Sequence, residues 1–171
     1  SDTGELTLNR EIPVACYYTS DKQNTKVFTG FPKGRTIRLG EVSLSIGETR
    51  LGWATVSLTS HDATGFGASN KKARILLAAT GVSHNEGANF EKSGAASIFT
   101  RGENWGHGPV MNEGIPLVVT LPASMTATKC FALDESGNRS GAVPVVEAGQ
   151  GCSVSIGPQY RTVWYEIAIG E

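Results

Sequence analysis

No stretch of this sequence has the apolar spacing of an amphipathic helix, because Gly, Ser, Thr or Pro interrupts every run of helix-forming residues. Short segments suited to β-strands recur instead, with turn residues between them. In EVSLSIG, apolar Val42, Leu44 and Ile46 alternate with polar residues, which predicts a strand with one buried face. The sequence therefore predicts an all-β protein of about nine or ten strands. The most economical arrangement is an antiparallel β-sandwich of the jelly-roll type.

The length and charge of the chain narrow its class. At 171 residues it can bury a core of its own, and since neither an internal repeat nor a long linker divides it, we expect one domain over residues 1–171. Charged residues make up 18% of the chain, below the roughly 25% that is usual. Gly, Ser, Thr and Asn replace them, a composition common on extracellular β-proteins.

The charge balance also bears on partners and location. A net charge of −1 argues against nucleic acid or an anionic membrane as the main partner, because both select a basic face. The apolar runs are all shorter than the roughly 18 residues of a transmembrane helix. We expect a secreted, extracellular monomer whose targeting signal lies outside the segment that opens with SDTGEL.

Several segments give more specific structural predictions. ARILLAATG is apolar at successive positions, which predicts a central strand buried on both faces. CYYTSDKQNTKVFTGF predicts two strands around the turn SDKQN, with one of Tyr17 and Tyr18 facing outward. Residues 81–114 are too long for an ordinary loop, and we expect a further strand in ASIFTR. A meander is predicted for the C-terminal third, from the segments KCFALD, VPVVEA, CSVSIG and TVWYEIAI.

The three tryptophans are difficult to place in a core. Trp53 falls on the more polar face of LGWATVSLTS, and Trp164 falls on the polar face of TVWYEIAI. Trp105 lies in the glycine-rich stretch FTRGENWGHGPVMNEGIP. Two explanations stay open: a loop covers the outer face of a sheet and buries these rings, or the rings are exposed for a ligand.

Exposed planar rings beside polar side chains are typical of a carbohydrate-binding surface. The rings stack on the C–H faces of sugars, while polar groups bond the hydroxyls. Glycines in the Trp105 stretch are expected to let the backbone approach the ligand closely. The candidate carbohydrate-binding residues are Trp105, Trp53, Trp164, Tyr17, Tyr18, Asn104, Glu103, His107 and Arg101.

Catalytic and metal-binding patterns in the sequence are weaker than this carbohydrate-binding pattern. Glycoside hydrolysis needs a pair of carboxylates, and the candidates, which we interpret as solvated loop charges, are Glu86, Glu91, Glu103, Glu113 and Glu166. The sequence lacks a GxSxG nucleophile elbow, and we expect no enzyme activity. The three histidines have no metal-ligand spacing. A structural Ca²⁺ stays open as a cofactor, with loop acids Asp2, Asp62, Asp134 and Glu135 as ligands, although none forms a calcium-loop pattern.

The three cysteines do not form a disulfide framework. Cys130 and Cys152 open two strands of the C-terminal third, so they either pair across strands or are small buried apolar groups. We favour the second reading, with Cys16 also reduced and buried.

Taken in order, several segments resemble the accessory β-sandwich domains that follow the catalytic domains of bacterial glycoside hydrolases. They are RLGWATVSLTS followed by ARILLAATG, ENWGHGPVMNEGIP followed by LVVTLPA, then FALDESGNR, and the closing IGPQYRTVWYEI. The similarity spans about residues 2 to 169. It implies a module that either binds carbohydrate or supports a linked glycoside hydrolase domain. If the motifs around Trp53 and Trp105 are general to such domains, Tyr17, Tyr18 and Phe66 are left to contact the ligand.

The resemblance implies plant cell-wall β-glucans as ligands, such as β-1,4-linked or mixed-linkage glucan or xyloglucan. Together with the candidate residues, it leads us to expect a non-catalytic carbohydrate-binding module that targets an appended glycoside hydrolase. The first alternative is a structural accessory domain that braces the catalytic domain without sugar affinity. A small carboxylate-pair hydrolase and a self-assembling capsid or adhesin jelly roll also stay open.

Overall fold

The protein is an all-β antiparallel sandwich, as predicted, in a computed structural model. The structure describes residues 1–11, 15–32, 34–61, 65–66, 72–89, 91–93, 98–100 and 102–171. Within these ranges the helical elements are two short 3₁₀ turns, Met125–Ala127 and Pro158–Tyr160. Neither turn is long or apolar enough to cross a membrane.

The strands of the described ranges are numbered in chain order. They are β1 Leu6–Glu11, β2 Ala15–Asp21, β3 Thr25–Phe31, β4 Thr36–Leu39, β5 Val42–Ile46, β6 Ala54–Ser60, β7 Ala73–Glu86, β8 Glu91–Ser93, β9 Ile98–Thr100, β10 His107–Gly114, β11 Leu117–Leu121, β12 Thr128–Leu133, β13 Arg139–Val143, β14 Val145–Ala148, β15 Gly151–Ile156 and β16 Trp164–Ile169.

Two sheets form the layers of the sandwich. Sheet A has the strand order β1-β2-β3-β6-β7-β16-β12-β13, with β10 paired to β7. Sheet B has the order β14-β15-β11-β5-β4. The short strands β8 and β9 pair only with each other among the described strands, and β9 confirms the strand expected in ASIFTR.

The C-terminal third is not the predicted meander. Strands β12 and β13 pair in sheet A, β14 and β15 pair in sheet B, and β16 returns to sheet A between β7 and β12. The segment VPVVEA, which we predicted as one strand, is divided at Pro144 between β13 and β14. Proline has no N–H for a ladder and suits the point where a chain leaves one sheet for the other.

The core lies between the two sheets and follows the alternation read from the sequence. Val42, Leu44 and Ile46 of β5 are buried, as predicted. Ala54, Val56 and Leu58 of β6 and Tyr165, Ile167 and Ile169 of β16 are buried as well. Phe66, considered as a ligand contact, is fully buried in this core.

Strand β7 departs from its prediction. Ile75 and Leu77 face the core and are fully buried, but Leu76 points to the other face of sheet A and is 42% exposed. The prediction of burial on both faces is therefore wrong for ARILLAATG. A two-layer sandwich has only one core, and apolar residues of a central strand can also occupy its open outer face.

The length of β7 positions the elements that follow it. Thr80 pairs with Thr55 of β6 on one side and with Gly114 of β10 on the other. Strand β10 therefore lies on the same side of β7 as β16, and it continues the line of β16 beyond Trp164. The long segment 81–114 thus contains the end of β7 and the whole of β8, β9 and β10.

Candidate functional site

A groove of about 830 Å³ opens at the end of sheet A where β16 begins. Strand β10 forms one wall, from Val110 to Gly114. The turn between β12 and β13 forms the opposite wall, at residues 133–136. The connection from Pro158 to Trp164 closes the groove between them. We call this feature the Trp164 groove.

The Trp164 groove has a partly exposed apolar lining. Trp164 is 45% exposed, Met111 is 46% exposed and Val110 is 62% exposed. The Tyr160 ring packs edge-on against Tyr165, with 5.9 Å between ring centroids. The Tyr165 hydroxyl is 3.3 Å from the Gly157 carbonyl oxygen and 3.2 Å from that of Thr162, within donating distance of both. This packing holds the connection that carries Tyr160 and Trp164 against the core.

Strand alternation and a local hydrogen bond determine how Trp164 is presented. Trp164 pairs with Ala78 of β7, whereas the next residue, Tyr165, is fully buried. Neighbouring strand residues point to opposite faces, so Trp164 faces outward, as its parity predicted. Its backbone N–H donates to Thr162 Oγ1 at 3.1 Å.

Polar side chains line the rest of the Trp164 groove. They include Asn112, whose Oδ1 accepts a hydrogen bond from Ser83 Oγ, together with Asp134, Glu135 and Thr162. Arg161 lies at the edge with a φ of 54°, in the left-handed region that non-glycine residues seldom adopt. Its backbone N–H donates to the Pro158 carbonyl oxygen at 3.0 Å. The groove thus combines aromatic and aliphatic surface with hydrogen-bonding groups.

Asp134, one of the candidate calcium ligands, accepts hydrogen bonds within the turn between β12 and β13. Its Oδ1 accepts from the backbone N–H groups of Asn138 at 2.8 Å and Ser136 at 2.9 Å. These bonds, led by the one from Asn138, lower the pKa of Asp134. In the described ranges, His, Cys, Asp and Glu side chains form no group of three or more that could hold a metal ion. Asp62 lies outside those ranges.

Trp105 lies away from the Trp164 groove. Its carbonyl oxygen accepts a hydrogen bond from Asn85 Nδ2 at 3.0 Å. At the rise of a strand, Asn85 lies roughly 20 Å along β7 from Ala78, the residue that pairs with Trp164. The Trp105 ring is 61% exposed, and Glu103, Asn104 and His107 beside it are also exposed. Arg101 lies outside the described residues. The structure therefore keeps the Trp105 loop separate from Trp164.

The glycine beside Trp105 serves packing within the chain. Gly106 has a φ of 66°, and a Cβ there would collide with the Glu86 carbonyl oxygen and the Ala88 backbone N–H. Close approach to β7 thus requires glycine at this position. We had expected this glycine to let the backbone approach a ligand.

Tyr18 and Tyr17 divide between the two faces of sheet A, as the alternation predicted. Tyr18 is 57% exposed on the outer face. Tyr17 packs inward with its ring 5.4 Å from that of Phe28, and its hydroxyl accepts from Asn9 Nδ2 at 3.2 Å. Trp53 is half-buried and immediately precedes β6. Tyr18 and Trp164 therefore remain available on the outer face, whereas Tyr17 does not.

Two of the candidate catalytic carboxylates are not the solvated loop charges we expected. Glu113 Oε1 accepts from the backbone N–H of Arg50 at 2.6 Å, and Oε2 accepts from that of Val82 at 3.1 Å. Glu166 is 8% exposed and pairs with Arg139 at 2.7 Å and Arg74 at 3.0 Å. Hydrogen bonds from Arg139 lower the pKa of Glu166 to about 2. Both carboxylates hold strands together.

Cys130 and Cys152 are free thiols buried in the core, as we favoured. Burial raises the pKa of Cys130 to about 12, and it also raises that of Cys152. The side chain of Cys16 lies outside the described part of the chain.

Sequence reasoning missed most of the Trp164 groove. Tyr160, Met111 and Arg161 line it, and none was a candidate. The segment IGPQYRTVW offered one signal, since Gly-Pro marks a turn directly before two aromatic residues. The contribution of β10 depends on its pairing with β7, which is not visible locally in the sequence.

Comparison with protein-family models, with curated proteins and with solved structures gives no match to this chain.

Proposed function

We propose that this protein is a non-catalytic carbohydrate-binding module for plant cell-wall β-glucans and that the Trp164 groove is its binding site. In the parent protein the module would hold a linked glycoside hydrolase domain near its polysaccharide substrate. Tethering of this kind raises the effective concentration of an enzyme at its substrate.

The lining of the Trp164 groove is the observation that carries this proposal. Trp164 offers a partly exposed ring and Met111 offers apolar surface beside it. Asn112, Ser140 and Thr162 offer amide and hydroxyl groups in the same groove. Sugar rings need both kinds of contact, because their C–H faces are apolar while their hydroxyls need hydrogen-bond partners.

The positions of Glu113 and Glu166 support binding without cleavage. Both carboxylates are already engaged, one by two backbone N–H groups and the other by two arginines. A glycosidase needs two carboxylates that face the scissile bond, one of them able to donate a proton. With a pKa of about 2, Glu166 is poorly suited to that role.

Calorimetric titration of the chain with soluble polysaccharides tests the proposal. The ligands are xyloglucan, mixed-linkage glucan, xylan, mannan and a series of cello-oligosaccharides. We expect saturable heat with a glucan, at an affinity near the micromolar range, about −8 kcal/mol. The same mixtures are assayed for new reducing ends, and we expect none. New ends that vanish when one acid is replaced would instead establish a hydrolase.

A structural accessory domain is the second candidate, and one observation favours it. Large apolar side chains are exposed near one edge of sheet A, at Leu6, Leu8, Tyr18 and Phe31. Exposed apolar patches of this kind often mark contacts with another protein surface. This candidate predicts no heat with any saccharide, so the same titration separates it from the binding module.

A further inference from the structure

The outer face of sheet A carries rows of side chains that run across the strands. Directly paired strand residues share a face, so the pairing register defines each row. One row contains Leu6, Ser20, Val27, Ser57, Ala78 and Trp164, from β1 to β16. Trp164 thus stands at the end of a row that begins at the opposite edge of the sheet.

The neighbouring row has a similar composition. It contains Leu8, Tyr18, Thr29, Thr55 and Thr80. Both rows are free of charged residues. The charged cluster of Arg74, Arg139 and Glu166 lies directly beside the first row, because Glu166 is the next outward residue of β16 after Trp164.

Large side chains near the ends of this face and small ones in its middle leave a track. The middle is floored by small residues, Thr55, Ser57 and Ala78. At one end, a mainly apolar hollow of about 380 Å³ is lined by Leu6, Leu8, Tyr18 and Val27. At the other end lies Trp164 with its groove. A floor of small side chains, two of them with hydroxyl groups, therefore joins the apolar hollow to Trp164.

The strand spacing fits one class of ligand. Neighbouring strands lie about 4.8 Å apart, so the four steps from β2 to β16 span roughly 19 Å. The distance between neighbouring strands is close to the length of one pyranose residue in an extended β-linked polysaccharide. Such a chain lying across the strands would place about one sugar over each strand, with rings over Tyr18 and Trp164 and hydroxyls over Ser57 and Thr55.

We infer that the outer face of sheet A, from Tyr18 to Trp164, binds an extended, uncharged β-linked polysaccharide chain that crosses the strands and continues into the Trp164 groove. The inference rests on the proposed function and deepens it. The two rows carry no charged side chain, which suits an uncharged polysaccharide.

Titration of the whole chain with cellotriose and cellohexaose tests the inference. The hexaose can span from Trp164 to Tyr18, whereas the triose cannot. We expect the hexaose to bind at least about tenfold more tightly, equivalent to about 1.4 kcal/mol. Tyr18→Ala should remove this advantage and leave triose binding unchanged. Equal affinities for the two sugars would overturn the track and leave the groove proposal intact.

A second variant blocks the track without removing an aromatic ring. Ser57→Arg places a long side chain on the floor, and we expect it to reduce hexaose affinity to the level of the triose. Ser155→Arg is the matched control, because Ser155 is exposed on the outer face of sheet B. Thermal unfolding of both variants checks that they fold. Full hexaose affinity in a folded Ser57→Arg would overturn the track, and a contact with another protein would then be the better explanation of this face. Absence of heat with every sugar would overturn the groove proposal as well.

Discussion

The two exposed tryptophans of this protein, Trp164 and Trp105, differ in their surroundings. Trp164 begins a central strand whose next residue is fully buried, and its ring lies beside Met111 and Tyr160 in a groove. Trp105 precedes a strand that pairs only with the far end of β7 among the described strands, and its ring is the more exposed of the two. A residue acts on a ligand only with its neighbours, so these two rings should contribute unequally to binding.

Alanine substitution of each tryptophan measures that difference. We expect Trp164→Ala to weaken glucan binding at least tenfold, about 1.4 kcal/mol or more, because the groove loses its exposed ring. We expect Trp105→Ala to leave the affinity within about twofold of the parent protein. Calorimetric titration gives the affinities, and thermal unfolding checks the fold. Equal losses in both variants would contradict the assignment of the site to the groove.

At the scale of elements, one carboxylate of β10 adds contacts to two other segments beyond the pairing of β10 with β7. Glu113 accepts backbone hydrogen bonds from Arg50, before β6, and from Val82, where β7 leaves its regular register with β10. The Glu113 carboxylate also lies so close to Gly81 that a Cβ at that position would collide with it. One side chain thus joins three segments and fixes the wall of the groove.

Replacement of Glu113 should loosen this wall. We expect Glu113→Ala to lower the free energy of unfolding by about 2 kcal/mol, because two backbone N–H groups lose their acceptor. Hydrogen exchange at the Val82 amide should accelerate. Glu147→Ala, at an exposed position of β14, is the control and should change neither quantity. Unchanged exchange at Val82 in Glu113→Ala would show that the carboxylate is dispensable.

The strands themselves were largely predictable from the sequence, and their pairing was not. Alternation in β5 and β6 gave the correct buried face, because one face of each strand is clearly more apolar. In β16 it identified the core residues Tyr165, Ile167 and Ile169, but Glu166 and Ala168 on the other face are buried as well. It failed for Leu76, since an apolar residue on an open outer face has the same sequence pattern as a buried one. The groove depends on β10 extending the line of β16, and the roles of Glu113 and Glu166 depend on contacts distant in sequence.

For the whole molecule, the pH range of stability is limited by one group that the fold holds charged and two that it holds neutral. Glu166 is held charged by Arg139 and Arg74 across β7, β16 and β13. Cys130 and Tyr165 are held neutral, since burial raises the pKa of each to about 12. The Glu166 pKa lies below its ordinary value of 4.5, so its stabilisation is present above that pH and is lost as the pH falls toward 2. The Cys130 thiol and the Tyr165 hydroxyl must stay protonated in the folded protein, so they oppose folding as the pH rises above 9.0, the ordinary pKa of a thiol.

Glu166→Gln isolates the acidic side of this range. At pH 7 we expect the variant to be about 2–3 kcal/mol less stable, from the lowered pKa of Glu166. The difference should shrink as the pH falls from about 5 to about 2, because the parent carboxylate then becomes protonated as well. Urea unfolding at several pH values measures it. A difference that stays constant down to pH 3 or so would assign the effect to packing instead of charge.

Strand β7 also has a consequence for how this protein can change. Its first half is a central strand of sheet A, and its second half extends beyond β6 and β16 to carry β10 and the Trp105 loop. Substitutions on this extension alter the surface beside the groove while the buried side chains of Ile75 and Leu77 stay in place. The two halves of β7 therefore face different demands: the first must fill the core, whereas the exposed positions of the second can vary without changing it.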